Sequence, residues 1–262
     1  MLELLRRLIR GPQESENHIK RFPLSEILGK LEVPGDYPAG LHIQIDQLAR
    51  TTFQANAVPE TIQSQFRMAM NSIAYRYKSF VESSNEFSDL VSRWGAAPTQ
   101  PQRYAQERAF FEFVMTGNAC LEAIAYALFA LGSALHPDRF PFEDDQHRKH
   151  VNLRSTADAY REDARHIEIA DSLTSVAEAD QFQVMSTLRR VLYHRGLPGR
   201  LIIAGSGKPS RYHDFADIEG IDVQPHSLTD LASWVRKALQ EIFTVTSQMM
   251  QQQASESDQA AA

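Results

Sequence analysis

PQRYAQERAFFEFVMTGNACLEAIAYALFALGSALHP, residues 101–137, decides the class of this fold. Tyr104, Phe111, Met115, Leu121, Ile124, Leu128, Leu131 and Leu135 recur at helical spacing, and after Gly117 the run is apolar on more than one face. A helix that is apolar around most of its girth belongs at the centre of a bundle. Its start at Pro101 and its stop at His136-Pro137 are both ones that helices favour.

The flanking sequence supplies partners for it. After Pro59, Ile62, Phe66, Met70, Ile73, Tyr77, Phe80, Phe87, Val91 and Trp94 predict a long amphipathic helix ending near Gly95 and Pro98. A weaker helical pattern covers about 153–170. Ser175 with Glu178 has capping-box spacing and predicts a helix running to about His194, closed by Gly196, Pro198 and Gly199. A last helix starts near Ser227 or Thr229 and carries Leu231, Val235, Ala238, Ile242, Val245 and Met249.

Residues 138–149 read as a polar loop, 200–226 as loop with Leu201-Ile202-Ile203 as a short strand, and 11–40 as an irregular lead-in. Leu41, Ile43 and Ile45 fit a strand, while Leu41, Ile45 and Leu48 fit a helix equally well. Helix on helix is the only layer arrangement with enough material. The expected fold is all-α: a helical bundle of four or more helices over 59–250, an irregular N-terminal extension over 1–58, and a disordered Gln/Ser/Ala tail over 251–262.

The composition, 43% hydrophobic and 23% charged, is that of a globular chain. Cys120 is the sole cysteine, so no intrachain disulfide can form, which suits a reducing, cytoplasmic setting. No uninterrupted apolar run approaches the roughly 20 residues of a membrane span, so no integral membrane association is expected. Met1–Arg10 reads as a short amphipathic helix without the apolar core of a signal peptide.

A net charge of −6 argues against general coating of nucleic acid. The charge is uneven, however: Gln181–His213 holds Arg189, Arg190, Arg195, Arg200, Lys208 and Arg211 and no acid. Setting those six aside leaves 21 basic and 33 acidic residues, or −12. Such a patch can hold a phosphate or an acidic partner, or face acidic neighbours within the fold.

The patch begins at a helix end. On a wheel of about 100° per residue, Arg189 falls among Phe182, Met185, Leu188 and Leu192, whereas Arg190 and His194 lie on the polar half. An arginine on a packed face must be paired or must reach a polar pocket. The helix dipole favours imidazolium at His194 and the neighbouring arginines oppose it, which suits general acid–base work near neutral pH. The plainer reading is a capping histidine beside a salt-bridged arginine.

The run Leu188-Arg189-Arg190-Val191-Leu192-Tyr193-His194-Arg195-Gly196 resembles the Arg-x4-His signature of the HEPN superfamily. Phe110-Phe111-Glu112-Phe113, followed by Asn118 and Glu122, is similar to the HEPN helix whose polar residues face that pair. The resemblance covers about residues 100–250, with Arg190 where the family commonly has Asn, Asp or His. It implies a metal-independent endoribonuclease with no cofactor, a homodimer with two Arg–His pairs in one cleft, in a stress, defence or toxin-like role under a regulatory protein partner. In that scheme His194 handles protons, Arg189 binds the scissile phosphate and Glu122 orients Arg189. Asn118, Arg190, Tyr193 and Arg195 would contact RNA, with Tyr193 equally at home in a core. The family also holds inactive members, so the alternative is a catalytically silent helical interaction module.

Other signals are weaker. Gly205-Ser206-Gly207-Lys208-Pro209-Ser210 lacks the first glycine and the Ser/Thr of a phosphate loop. Asp144/His147 and Asp163/His166 have i,i+3 ligand spacing but sit in or beside a polar loop, so no metal is expected. Cys120, in an apolar helix, reads as core.

Overall fold

A computed structural model describes residues 24–95, 98–142, 144–194, 218–223 and 225–261. Its helices are α1 (Leu24–Leu31), α2 (Ala39–Ala55), α3 (Glu60–Trp94), α4 (Gln100–Leu135), α5 (Asp145–Lys149), α6 (Leu153–Arg161), α7 (Ile167–Glu178), α8 (Asp180–His194) and α9 (Pro225–Ala261). Among the described residues the only β feature is the Ile218–Ile221 bridge. The fold is an all-α helical bundle.

The frame is the antiparallel pair α3–α4. At about 1.5 Å per residue, each helix is roughly 50 Å long. Gly95, at φ 54°, ends α3 in a conformation that glycine adopts without penalty. Thr99 and Gln102 then cap α4 reciprocally, with a proline in its first turn. The direction of pairing shows in contacts that climb one helix while descending the other. Gln106 Nε2 donates to the Leu90 carbonyl, Arg108 meets Glu86, Phe80 stacks on Phe113, and Tyr126 donates to Gln65.

Past Gly117, α4 buries residues on every side, among them Cys120, Leu121, Ile124, Ala127, Leu128 and Leu131. Among the described residues it is the one helix long and apolar enough to cross a membrane. Its apolar window is 72% buried within the fold, as in a central core helix. Helices α6 and α7 pack as a hairpin beside it, and α9 closes the other side against α2, α3 and α7.

Several expectations change. Residues 1–23, including the amphipathic stretch at Met1–Arg10, lie outside the described residues, as do Leu201–Ile203 and Gly205–Ser210. Beyond them the N-terminal segment is built into the bundle. The stretch around Ile43 is helical, and Ile45, Ala49 and Phe53 of α2 join the core. The loop over 138–149 contains the short α5.

Residues 153–170 are not one helix. The Asp163 carboxylate accepts the Arg165 backbone N–H, and the chain tightens into a 3-10 turn, Ala164–His166, between α6 and α7. A short polar side chain offering the backbone a local turn can end a helix without Gly or Pro. Ser175 and Glu178 lie in the last turns of α7, not at a helix start; the break is at Ala179, and Asp180 opens α8. Over 251–261, where composition points to a disordered tail, the backbone continues α9. Its Gln, Ala, Ser and Glu residues include good helix formers and no breaker, so a helix anchored by packing upstream propagates through them.

Gly117 sets how closely α4 approaches its neighbours. A Cβ there would lie 2.5 Å from Met185 Cε and 2.6 Å from Phe80 Cε2. The methionine end can swing away, but the Phe80 ring is fixed by its stack on Phe113, with centroids 4.4 Å apart. Alanine gains about 1 kcal/mol of helix propensity, and overpacking costs typically 1–3 kcal/mol. Gly117→Ala should therefore destabilise by up to about 2 kcal/mol. A calorimetric Tm equal to or above that of the parent would refute this account of the packing.

Candidate active site

The short α8 runs parallel to α4 and in register with it. One turn fixes the register: Asn118, 3% exposed, donates through Nδ2 to the Val114 carbonyl of its own helix (2.8 Å) and to the Met185 carbonyl of α8 (3.0 Å). One turn further along both helices, Arg189 Nη1 donates to Glu122 Oε1. The two contacts share the same sequence separation of 67 residues, as two helices rising together require. Asn118 thus belongs to the floor of the site, with its amide nitrogen committed to two carbonyls. There it sets helix spacing rather than reaching toward a nucleic acid.

Above that floor opens a cleft of about 390 Å³, whose lining includes Asn118, Glu122, Arg189, Arg190, Tyr193 and His194. Phe182 and Ser186 complete it; the sequence patterns did not single them out for the site, although their spacing to Arg189 and Tyr193 makes one stripe on α8. The wheel separated Arg189 from His194, but the structure brings both to this cleft. The Arg189 side chain is 42% exposed and Glu122 49%. On the apolar half of α8, Met185, Leu188 and Leu192 are buried, with Met185 against Gly117 of α4.

A half-exposed ion pair of this kind stabilises a fold by about 0–1 kcal/mol. Its consequence here is orientation: Glu122 occupies one Nη of a guanidinium that has five N–H donors in all. Glu122→Gln is accordingly expected to change unfolding free energy by less than about 1 kcal/mol. A larger loss in urea denaturation would mean that the pair carries structural weight.

Arg190 donates through Nη2 to Glu219 Oε2 at 2.7 Å. Glu219 is at φ 52° and Gly220 at φ 82° in the tight turn that joins Ile218 to Ile221 by two backbone hydrogen bonds. Arg189 and Arg190, the cations of the acid-free stretch that fall among the described residues, therefore both meet acids supplied by other parts of the fold. Glu219 lies 29 residues downstream, beyond the reach of any local pattern.

Tyr193 is 71% exposed, which removes the core reading of that residue. Its ring meets the exposed His194 edge to face, with centroids 4.8 Å apart and planes at 83°. Arg195 lies outside the described residues.

The remaining candidates are elsewhere. Asp144 and His147 form an exposed pair at 3.2 Å, with the Asp144 carboxylate also capping α5. Cys120 is buried, its thiol 3.6 Å from the Ile73 carbonyl, and burial pushes its pKa up to about 12. A thiol held protonated in the core is no nucleophile. The chain matches no protein-family model, no curated protein and no solved structure.

Proposed function

We propose that the chain is a HEPN-type endoribonuclease acting without a catalytic metal ion, with Arg189 and His194 as its catalytic pair. The observation that carries this reading is the Arg189–Glu122 pair at the mouth of a cleft that His194 also lines. The resemblance asks for that convergence, and it joins residues from two separate helices.

Chemically, His194 takes the proton of a ribose 2′-hydroxyl, whose oxygen attacks the adjacent phosphorus. The bond from phosphorus to the 5′-oxygen breaks, and that oxygen leaves with a proton from a general acid. A 2′,3′-cyclic phosphate and a 5′-hydroxyl result. Arg189, oriented by Glu122, offers its remaining N–H donors to the non-bridging oxygens, where charge grows in the transition state. Tyr193 presents an exposed ring on which a base can stack. A homodimer would supply a second histidine as the acid, and in a cell such an enzyme would act in the cytoplasm under a regulatory partner.

A specific observation also favours the second reading, a catalytically silent interaction module. Arg189 and Arg190 both already hold carboxylates, so neither is an uncommitted phosphate site. The deciding experiment incubates the purified full chain with end-labelled RNA in EDTA, beside His194→Ala, with circular dichroism confirming that both stay folded in the chelator. Cleavage by the parent alone supports the enzyme. Equal cleavage by both, or none by either, sinks it.

A further inference from the structure

A second polar cluster lies at the C-terminal end of α4, where His136, Asp163 and His166 come together from separate parts of the chain. One ligand-type atom from each lies within 4.8 Å of the others. His136 Nε2 is 3.8 Å from Asp163 Oδ2. His136 Nε2 and His166 Nδ1 are both buried without a hydrogen-bond partner, and His166 is only 2% exposed. Buried ring nitrogens left unsatisfied are costly and call for an explanation.

We propose that His136, Asp163 and His166 form a binding site for a divalent transition-metal ion of the zinc class. Two imidazoles and one carboxylate are the donor set such an ion takes, with a fourth position for water. Metal–ligand bonds of about 2.0–2.2 Å put ligand atoms about 3.3–3.5 Å apart, so modest side-chain rotations close the site. Water has a route in: a cavity of about 540 Å³ is walled by residues that include His136, Arg165, Gln253 and Glu256.

The surroundings supply what the ligands need. The Gln253 side-chain amide lies 2.9 Å from His166 Nε2. Turned by half a rotation, its oxygen accepts Nε2–H and leaves the Nδ1 lone pair for the metal, as outer-shell partners of ligating histidines do. Burial lowers the pKa of both imidazoles, which keeps them neutral, while hydrogen bonds from Arg165 hold the Asp163 carboxyl well below its usual range. His136 also caps α4, where the negative end of the helix dipole favours a cation.

Arg139 and Arg165 both reach Asp163 and oppose a cation. Each has a second acid: Glu162 lies 3.8 Å from Arg139, and Glu256 acts on Arg165. The three carboxylates outweigh the two guanidiniums. The ion would tie the end of α4 to the α6–α7 turn, with α9 holding His166 through Gln253. This is a structural clamp independent of the Arg189 cleft.

The test is calorimetric titration of chelator-treated full-length protein with Zn²⁺ alone, alongside His136→Ala, Asp163→Asn and His147→Ala. Visible absorption of the Co²⁺-loaded protein reports the donor set. His136 is partly exposed, so its removal should leave a folded chain, verified by a thermal melt without metal. The expected result is one ion per chain, a Tm raised by Zn²⁺, and affinity at least about tenfold weaker in His136→Ala and Asp163→Asn. His147→Ala should bind as the parent does. Parent-like affinity in His136→Ala, loss of binding in His147→Ala, or no binding by the parent would each overturn the proposal.

Discussion

Replacing His194 by alanine is expected to lower RNA cleavage by about 10²–10⁴-fold, the usual contribution of a positioned general acid or base. His194 is exposed at the end of α8, so folding stability should move by no more than about 0.5 kcal/mol. Arg189→Ala should cost about 10²–10³-fold, because a charge-assisted donor at the phosphate is lost. Arg189→Lys should restore little of it, since an ammonium cannot keep one donor on Glu122 and present a planar fork to phosphate. Glu122→Gln should act more weakly and in the same direction, through Arg189. Initial-rate measurements on end-labelled RNA separate these cases. Were Arg189→Ala to cleave at the parent rate while His194→Ala failed, the phosphate role of Arg189 would be wrong and that of His194 would stand.

A pronounced acid sensitivity of folding is expected from His42. This imidazole is fully buried on α2, 2.5 Å from the Tyr37 hydroxyl and against the Phe243 ring of α9. Burial lowers its pKa to about 3, far below its ordinary value of 6.5. Between those values the unfolded chain holds the proton and the folded chain does not. Stability therefore rises with pH across that window and is lost as pH falls from about 6.5 toward 3. At about 1.4 kcal/mol per pH unit, the full loss is on the order of 4–5 kcal/mol. His42→Gln removes the titration, so urea melts between about pH 4 and pH 6.5 should show a flatter slope than the parent. Coincident slopes would mean that His42 is hydrated in the folded state.

The frame of the bundle was legible because its signal is local. Residues 62–94 and 104–135 repeat their apolar side chains at the helical period, and Gly95 and His136-Pro137 end those runs where the structure ends α3 and α4. Breaks made by side-chain hydrogen bonds were not legible. Asp163 ends one helical run by accepting an amide two residues on, yet the same residue type sits mid-helix elsewhere, as at Asp89.

For the site, the sequence by itself singled out the candidates: Arg189, His194 and, through the family resemblance, Glu122. It also placed Arg189 on the packed half of α8. Only the tertiary structure decided that Arg189 and His194 share a cleft and that Asn118 lies in its floor. It likewise decided that Arg190 meets Glu219 and that His136 joins Asp163 and His166. A helical wheel specifies an angle about one axis and carries no information on where a second helix stops covering it. That depends on the register of α4 against α8, set by Gly117 and by the Asn118–Met185 bond across 67 residues of chain.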